Sequence, residues 1–293
     1  MELDYVKLRE IKPALSGYIR ESQILLKKSD IPDDNVVHDV RVLMKKSRTI
    51  LKLVAPQLDN GYTDRDINAL REVGRTMASW REKSVQRKTL KEFKKKYPEI
   101  FSRLSQNEQI RLLLEKKDNI SEDPAEIKSA IEKIEELLTK TSFRIRFQSM
   151  KKVEPQILLK ELDLSYSKVV NIYLECRNKP KPKSLHEFRK KTKEFLFRLY
   201  IFKPLNPSVI KSLEKKLDIM GNNLGKYNDL TQIIKVLGYK FDPESDKSAL
   251  DELIIKIRDA QDGYLEKVWP SAYQIFCPGQ NLVNVLGFKL LVI

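Results

Sequence analysis

The chain has 293 residues, with 56 Lys+Arg against 41 Asp+Glu and a formal net charge of +15. That length fits one large domain or two mid-sized ones. Nine glycines and 13 scattered prolines exclude collagen-like and low-complexity chains, while 41% apolar and 33% charged residues fit a soluble folded body. Cys176 and Cys277 are too few for a disulfide framework, so a reduced, cytoplasmic setting is expected. The cationic excess costs self-repulsion and implies a polyanionic partner or an anionic surface.

The N-terminus, Met1-Glu2-Leu3-Asp4-Tyr5, begins acidic and lacks the basic start and apolar run of a signal peptide. No stretch of 18 apolar residues occurs. Val283 to Ile293 is apolar but short and interrupted by Gly287 and Lys289. It reads as a tail, not an anchor, and no membrane partner is expected.

Apolar residues recur at three- and four-residue steps along almost the whole chain, which predicts helix throughout and no sheet. A first helix covers 3–28, with Leu8, Ile11, Leu15, Ile19 and Leu25 in phase. Pro32-Asp33-Asp34 opens a second, ending near Ala55. Asp64 reads as the N-cap of a third, through Trp80 and on past Arg87. Others are predicted from Glu99 to Lys117, from Asp123-Pro124 to Met150, and from Pro155 to Cys176. Lys179-Pro180-Lys181-Pro182 makes a stiff break. Ser184 then reads as the cap of a helix to Phe202. Pro207 to Gly221, Asp229 to Leu237 and Ser245 to Val268 complete the set.

The charge is shared between the halves. Residues 1–150 hold 31 Lys+Arg and 24 Asp+Glu, and residues 151–293 hold 25 and 17, giving +7 and +8. The excess therefore belongs to the folded body. Its symmetry prompts a search for a repeat. The only two histidines, His38 and His186, each open the pattern His-x-x-Arg-x-x-x-Lys: His38, Arg41, Lys45 and His186, Arg189, Lys193. They lie 148 residues apart, about half the chain. An internal duplication of a helical unit is the economical explanation.

At about 100° per residue, His38, Arg41, Lys45, Arg48 and Lys52 fall within roughly an 80° arc of one helix. Val40, Leu43, Ile50, Leu51 and Val54 lie opposite. Like charges three or four residues apart cost about 0.2–0.5 kcal/mol per pair, and no acidic residue within the stripe offsets this. A spaced anion would turn the repulsion into attraction. The second stripe holds His186, Arg189 and Lys193, flanked by Lys183 and Lys190. It is shorter, because Leu196 and Tyr200 stand where the first helix has Arg48 and Lys52.

These segments resemble the CHAD family, the conserved histidine α-helical domain. The likeness rests on His38, Arg41, Lys45, Lys46 and Arg48 in one half and His186, Arg189, Lys190 and Lys193 in the other. Leu224-Gly225-Lys226-Tyr227-Asn228-Asp229 fits a second family signature; its first-half counterpart, Val73-Gly74-Arg75-Thr76-Met77-Ala78, lacks the final polar pair. Glu194 and Leu196 depart from the family's basic positions. The resemblance spans about residues 3–268, leaving 269–293 as a C-terminal tail. It implies an all-α fold of two similar antiparallel helical bundles, 3–152 and 155–268, related by a pseudo-two-fold axis. It also implies a central basic cleft that binds inorganic polyphosphate through these residues and Lys52, and an association with polyphosphate granules.

No Walker loop, His-Glu-x-x-His or Cys/His metal spacing occurs. Asp30, Asp33 and Asp34 read as helix N-terminal chemistry in preference to a metal site. A non-catalytic binding protein without a cofactor is expected. The alternatives are an accessory module of a polyphosphate- or triphosphate-processing enzyme, and a sequence-nonspecific nucleic-acid binder. For the latter, single-strand binders interleave exposed aromatics with basic residues, whereas most aromatics here, such as Tyr166, Phe188, Phe195 and Phe202, fall at core spacing.

Overall fold

A computed structural model describes residues 11–28, 31–58, 60–115, 124–150, 153–239 and 246–287. Among these the chain forms α-helices and no strand. In order they are α1 (Ile11–Leu26), α2 (Asp34–Val54), α3 (Asn60–Thr76), α4 (Ala78–Lys96), α5 (Pro98–Arg103), α6 (Glu108–Glu115), α7 (Pro124–Phe147), α8 (Pro155–Asn178), α9 (Pro182–Phe202), α10 (Pro207–Tyr239), α11 (Lys247–Phe276) and α12 (Leu282–Leu286). The all-α expectation holds.

Local chemistry sets several of the ends. Asp33 caps α2, its carboxylate accepting from the amides of Asn35 and Val36 at 2.8 Å each. Pro155 and Pro182 open α8 and α9, where a missing N–H costs nothing. Asp246 caps α11 by accepting from Ala249 N. Other ends differ from the sequence reading. Asp64 caps nothing; α3 starts at Asn60 and breaks at Met77 before α4. The helix expected over 99–117 is two, because Asn107 Oδ1 accepts from Ile110 N and caps a fresh start at α6. Ser184 lies inside α9, and its hydroxyl donates to Glu175 on α8. Residues 3–10, Asp30, 116–117, Asp123, 151–152 and Ser245 lie outside the described residues.

Two larger differences come from packing. The chain between Pro207 and Tyr239, expected as two helices parted near Gly221, is one helix of 33 residues, about 50 Å long. α11, expected to end at Val268, runs through Pro270 to Phe276. An internal proline costs about 3 kcal/mol. Beyond it, Ala272, Ile275 and Phe276 are buried, and each large apolar side chain returns about 1.5–3 kcal/mol. Phe276 sits among the rings of Tyr166, Tyr173, Phe188 and Phe195. Leu282 and Leu286 of α12 are also buried, so residues 269–287 of the expected tail belong to the body.

The helices pack as two rings. α1, α2, α3 and α7 close one, each packed on the next and α7 on α1. α8, α9, α10 and α11 close the other in the same manner. The histidine-bearing helices α2 and α9 are the second members of their rings, and they pack on each other. The larger core runs through both rings, so the expected halves do not hold separate cores. A smaller core joins α4, α5 and α6 to the far end of α10 and the start of α11, around Leu90, Phe101, Leu230 and Leu253.

Candidate functional site

The seam between α2 and α9 brings the two cationic stripes together. Lys45 of α2 lies within electrostatic reach of Arg189 and Lys193 on α9, as well as of Arg41 and Arg48 on its own helix. Burial first, and then these four cations, push its ammonium down to about 8. Val40, Met44, Leu51 and Val54 on the opposite side of α2 are buried in the core, so the stripe has no other direction to face.

Arg41 is held by α3, its guanidinium donating to the carbonyl of Gly74. Burial lowers its pKa, and Arg81 at the start of α4 adds to the effect. Arg48 is likewise lowered by burial, then by Arg71, Arg41 and Arg75, with Glu194 opposing. The Nε atoms of Arg48 and Arg189 are buried without a hydrogen-bond partner. Two guanidinium donors removed from water and left unpaired are costly.

α10 supplies a bed for the second stripe. Gly221 and Gly225, one turn apart, leave no side chain in the way. A Cβ at Gly221 would stand 2.4 Å from Lys193 Cε, and one at Gly225 would stand 3.2 Å from Arg189 Nε. The Leu-Gly-x-x-Asn-Asp motif thereby acquires a physical meaning. Gly225 admits the Arg189 guanidinium, Asn228 Oδ1 lies 2.8 Å from His186 Nδ1, and Asp229 faces Arg189. Burial raises the Asp229 carboxyl, against the pull of Arg189 and Arg81. Lys193 Nζ pairs with Asp218 at 2.7 Å. In the first half the corresponding glycine, Gly74, serves Arg41 through its carbonyl. Where Asn228 and Asp229 would recur, α3 ends and α4 begins at Met77-Ala78. His38 accordingly lacks a counterpart of Asn228. It is exposed, and burial of part of its ring together with Arg81 lowers its pKa.

Not every expected residue joins the cluster. Lys46 lies over the rings of Tyr18 and Tyr200, 5.4 and 5.5 Å from their centroids, and clamps α1 to α9 beside the seam. Lys190 is exposed and pairs with Glu187 on its own helix. Lys52 reaches Glu194 of α9 at 3.5 Å. The sequence reading missed Arg71, Arg75 and Arg81, which α3 and α4 bring to the rim; it named Glu194 only as a departure from the family's basic positions, and not as an acid delivered to α2 from the facing helix. The i, i+4 spacing of Arg71 and Arg75 was the available signal. Among the described residues, no three His, Cys, Asp or Glu side chains are grouped to hold a metal ion.

A family model for the CHAD domain matches residues 20–237, well over half of the chain and all of α2, α3 and α9. The chain belongs to the CHAD family. The match covers every cationic residue of the cluster and both glycines of the α10 bed, and it ends before α11. No curated protein matches the chain. No helix among the described residues is long and apolar enough to cross a membrane.

Proposed function

We propose that this CHAD protein binds inorganic polyphosphate, without catalysis, in the seam between α2 and α9, and that its two rings arose by internal duplication. One observation carries the reading. Lys45 is held among Arg41, Arg48, Arg189 and Lys193, with its ammonium pushed down to about 8. A fold that gathers cations from two helices around a half-buried ammonium is strained until an anion arrives.

The ligand chemistry follows from the donor set. Guanidinium groups grip phosphate oxygens with paired N–H donors, and Lys45 and Lys193 act as point charges between them. Cations one turn apart, about 5.4 Å along a helix, can meet successive groups of a repeating anion. Recognition of this kind reads charge and spacing and ignores bases, so a bare chain of phosphates is sufficient to satisfy it. A cytoplasmic location on polyphosphate granules accords with this reading. So does a role as the binding module of a separate polyphosphate- or triphosphate-processing enzyme.

The test is titration with polyphosphate of defined length at two salt concentrations. Replacing Arg41, Lys45 and Arg48 together by Ala is expected to weaken binding by roughly 100-fold or more, given about 1–3 kcal/mol per charge-assisted contact. Replacing Lys94, Lys95 and Lys96, which are exposed at the end of α4, is expected to cost far less. Equal losses from the two triples would reduce the site to general charge attraction. Oligonucleotide binding that long-chain polyphosphate fails to displace would favour the nucleic-acid reading.

A further inference from the structure

The cation cluster is closed at one end by a carboxylate that the pattern of basic residues did not anticipate. Glu194 projects from α9 toward the C-terminal half of the α2 stripe. Its Oε1 lies 3.5 Å from Lys52 Nζ and 3.6 Å from Arg198 Nη2, and its Oε2 lies 3.1 Å from Lys191 Nζ. It also opposes the charge of Arg48. Burial would raise this carboxyl, but Lys52, Lys191 and Arg198 outweigh burial and hold it below the usual carboxylate range. It is therefore a fixed negative charge at neutral pH.

The other acids have a clear order along the seam. Asp229 faces Arg189 and Arg81 at the histidine end, with Glu82 nearby. Asp218 holds Lys193 on the flank. Between these and Glu194 lies Lys45, on which the leading charges are the cations Arg189, Arg41, Arg48 and Lys193. Along α2 the charge least offset by acids thus lies between Arg41, opposed by Glu82, and Arg48, opposed by Glu194, about 10 Å of helix at 1.5 Å per residue; Arg71 and Arg75 flank it from α3.

We infer that Glu194 is a specificity-determining carboxylate that ends the anion site, so that the seam takes a short run of phosphates and not an extended chain. The inference rests on the polyphosphate reading and adds a length limit to it. Glu194 acts in two ways. It repels an anion advancing past Arg48. It also engages Lys52, a cation that would otherwise extend the binding track along α2. Arg198 does not depend on it alone, since its Nη1 also donates to the Glu161 carbonyl at 2.8 Å. Gln at position 194 consequently leaves Arg198 with a partner.

The experiment measures binding of sodium tripolyphosphate and of long-chain polyphosphate to the wild type and to Glu194→Gln, each at several salt concentrations, with thermal unfolding of both proteins as a check on folding. In the wild type, tripolyphosphate is expected to bind and to displace the long chain fully. In Glu194→Gln, the long chain is expected to bind roughly tenfold tighter, as the repelling charge goes and Lys52 is released to the ligand. Its log–log salt slope is expected to steepen by about 1–2, while tripolyphosphate gains less than about half as much on the same logarithmic scale. Equal gains for the two probes, or no gain for the long chain, overturn the length limit. Wild-type protein that binds the long chain but not tripolyphosphate also overturns it, without need of the variant, and leaves the polyphosphate reading intact. Wild-type protein that binds neither probe overturns both.

Discussion

Lys45→Met isolates the charge on which the site turns. Met keeps the apolar stem of the side chain and removes the ammonium. In the folded protein the ammonium titrates near 8, against 10.5 for an ordinary lysine. At 1.36 kcal/mol per unit of pKa that difference is about 3 kcal/mol, and solvent in the open part of the seam screens it to roughly 2–3 kcal/mol. The direction is fixed by proton linkage. Between pH 8 and 10.5 the unfolded chain holds the proton that the folded chain has released, so wild-type stability rises with pH through that window. Below pH 8 the full penalty is present, and above 10.5 it is gone. Lys45→Met is therefore expected to unfold roughly 5 °C higher than the wild type at pH 7. The two proteins should converge as pH approaches 10.5. Adding polyphosphate at pH 7 should reverse the order, because only the wild type recovers its penalty on binding. The assay is thermal unfolding by circular dichroism in matched buffers across pH 7–10.5. A variant no more stable than the wild type at pH 7, or an advantage that stays constant across the range, would refute the electrostatic account of the seam.

Gly221→Ala tests the bed on α10. The new methyl would overlap Lys193 Cε, the far end of a flexible chain that can move aside. Helix propensity favours Ala by about 1 kcal/mol, so stability measured by urea unfolding should hold or rise. Polyphosphate affinity should fall severalfold as Lys193 leaves Asp218 and the seam; unchanged affinity would show that Lys193 does not need its groove. Cys176 is buried and its thiol is pushed up to about 12. In native protein at pH 8 a thiol reagent should consequently modify Cys277 alone, and in denaturant both cysteines. Rapid modification of two thiols in the native state would mean that α8 does not pack as described.

Much of this architecture was legible because helices write their burial into a 3.6-residue period. Phe188, Phe195 and Phe202 fell in phase in the sequence and are fully buried in the structure. The errors cluster where local signals and long-range packing disagree. Gly221 reads as a helix end, yet α10 continues through it because α9 lays Lys193 in the space the glycine leaves. Pro270 sits past an apparent end at Val268, yet the aromatic core around Phe276 holds the last turns of α11 in place. Lys46 and Lys190 share the repeat pattern with the cluster residues, but only packing reveals that one clamps Tyr18 and Tyr200 and the other pairs locally with Glu187.

By itself the sequence determined that the chain is helical, that its excess positive charge belongs to the body, and that two histidine helices each carry a cationic edge. Those properties follow from periodicity and composition, which act over one or two helical turns. Only the tertiary structure decided that the two edges meet, that α3 and α4 add Arg71, Arg75 and Arg81, and that Glu194 closes one end. Coulomb forces act between residues far apart in sequence. Which charges confront each other is settled when apolar faces pack, and a single helix read alone holds no record of the charge that will face it.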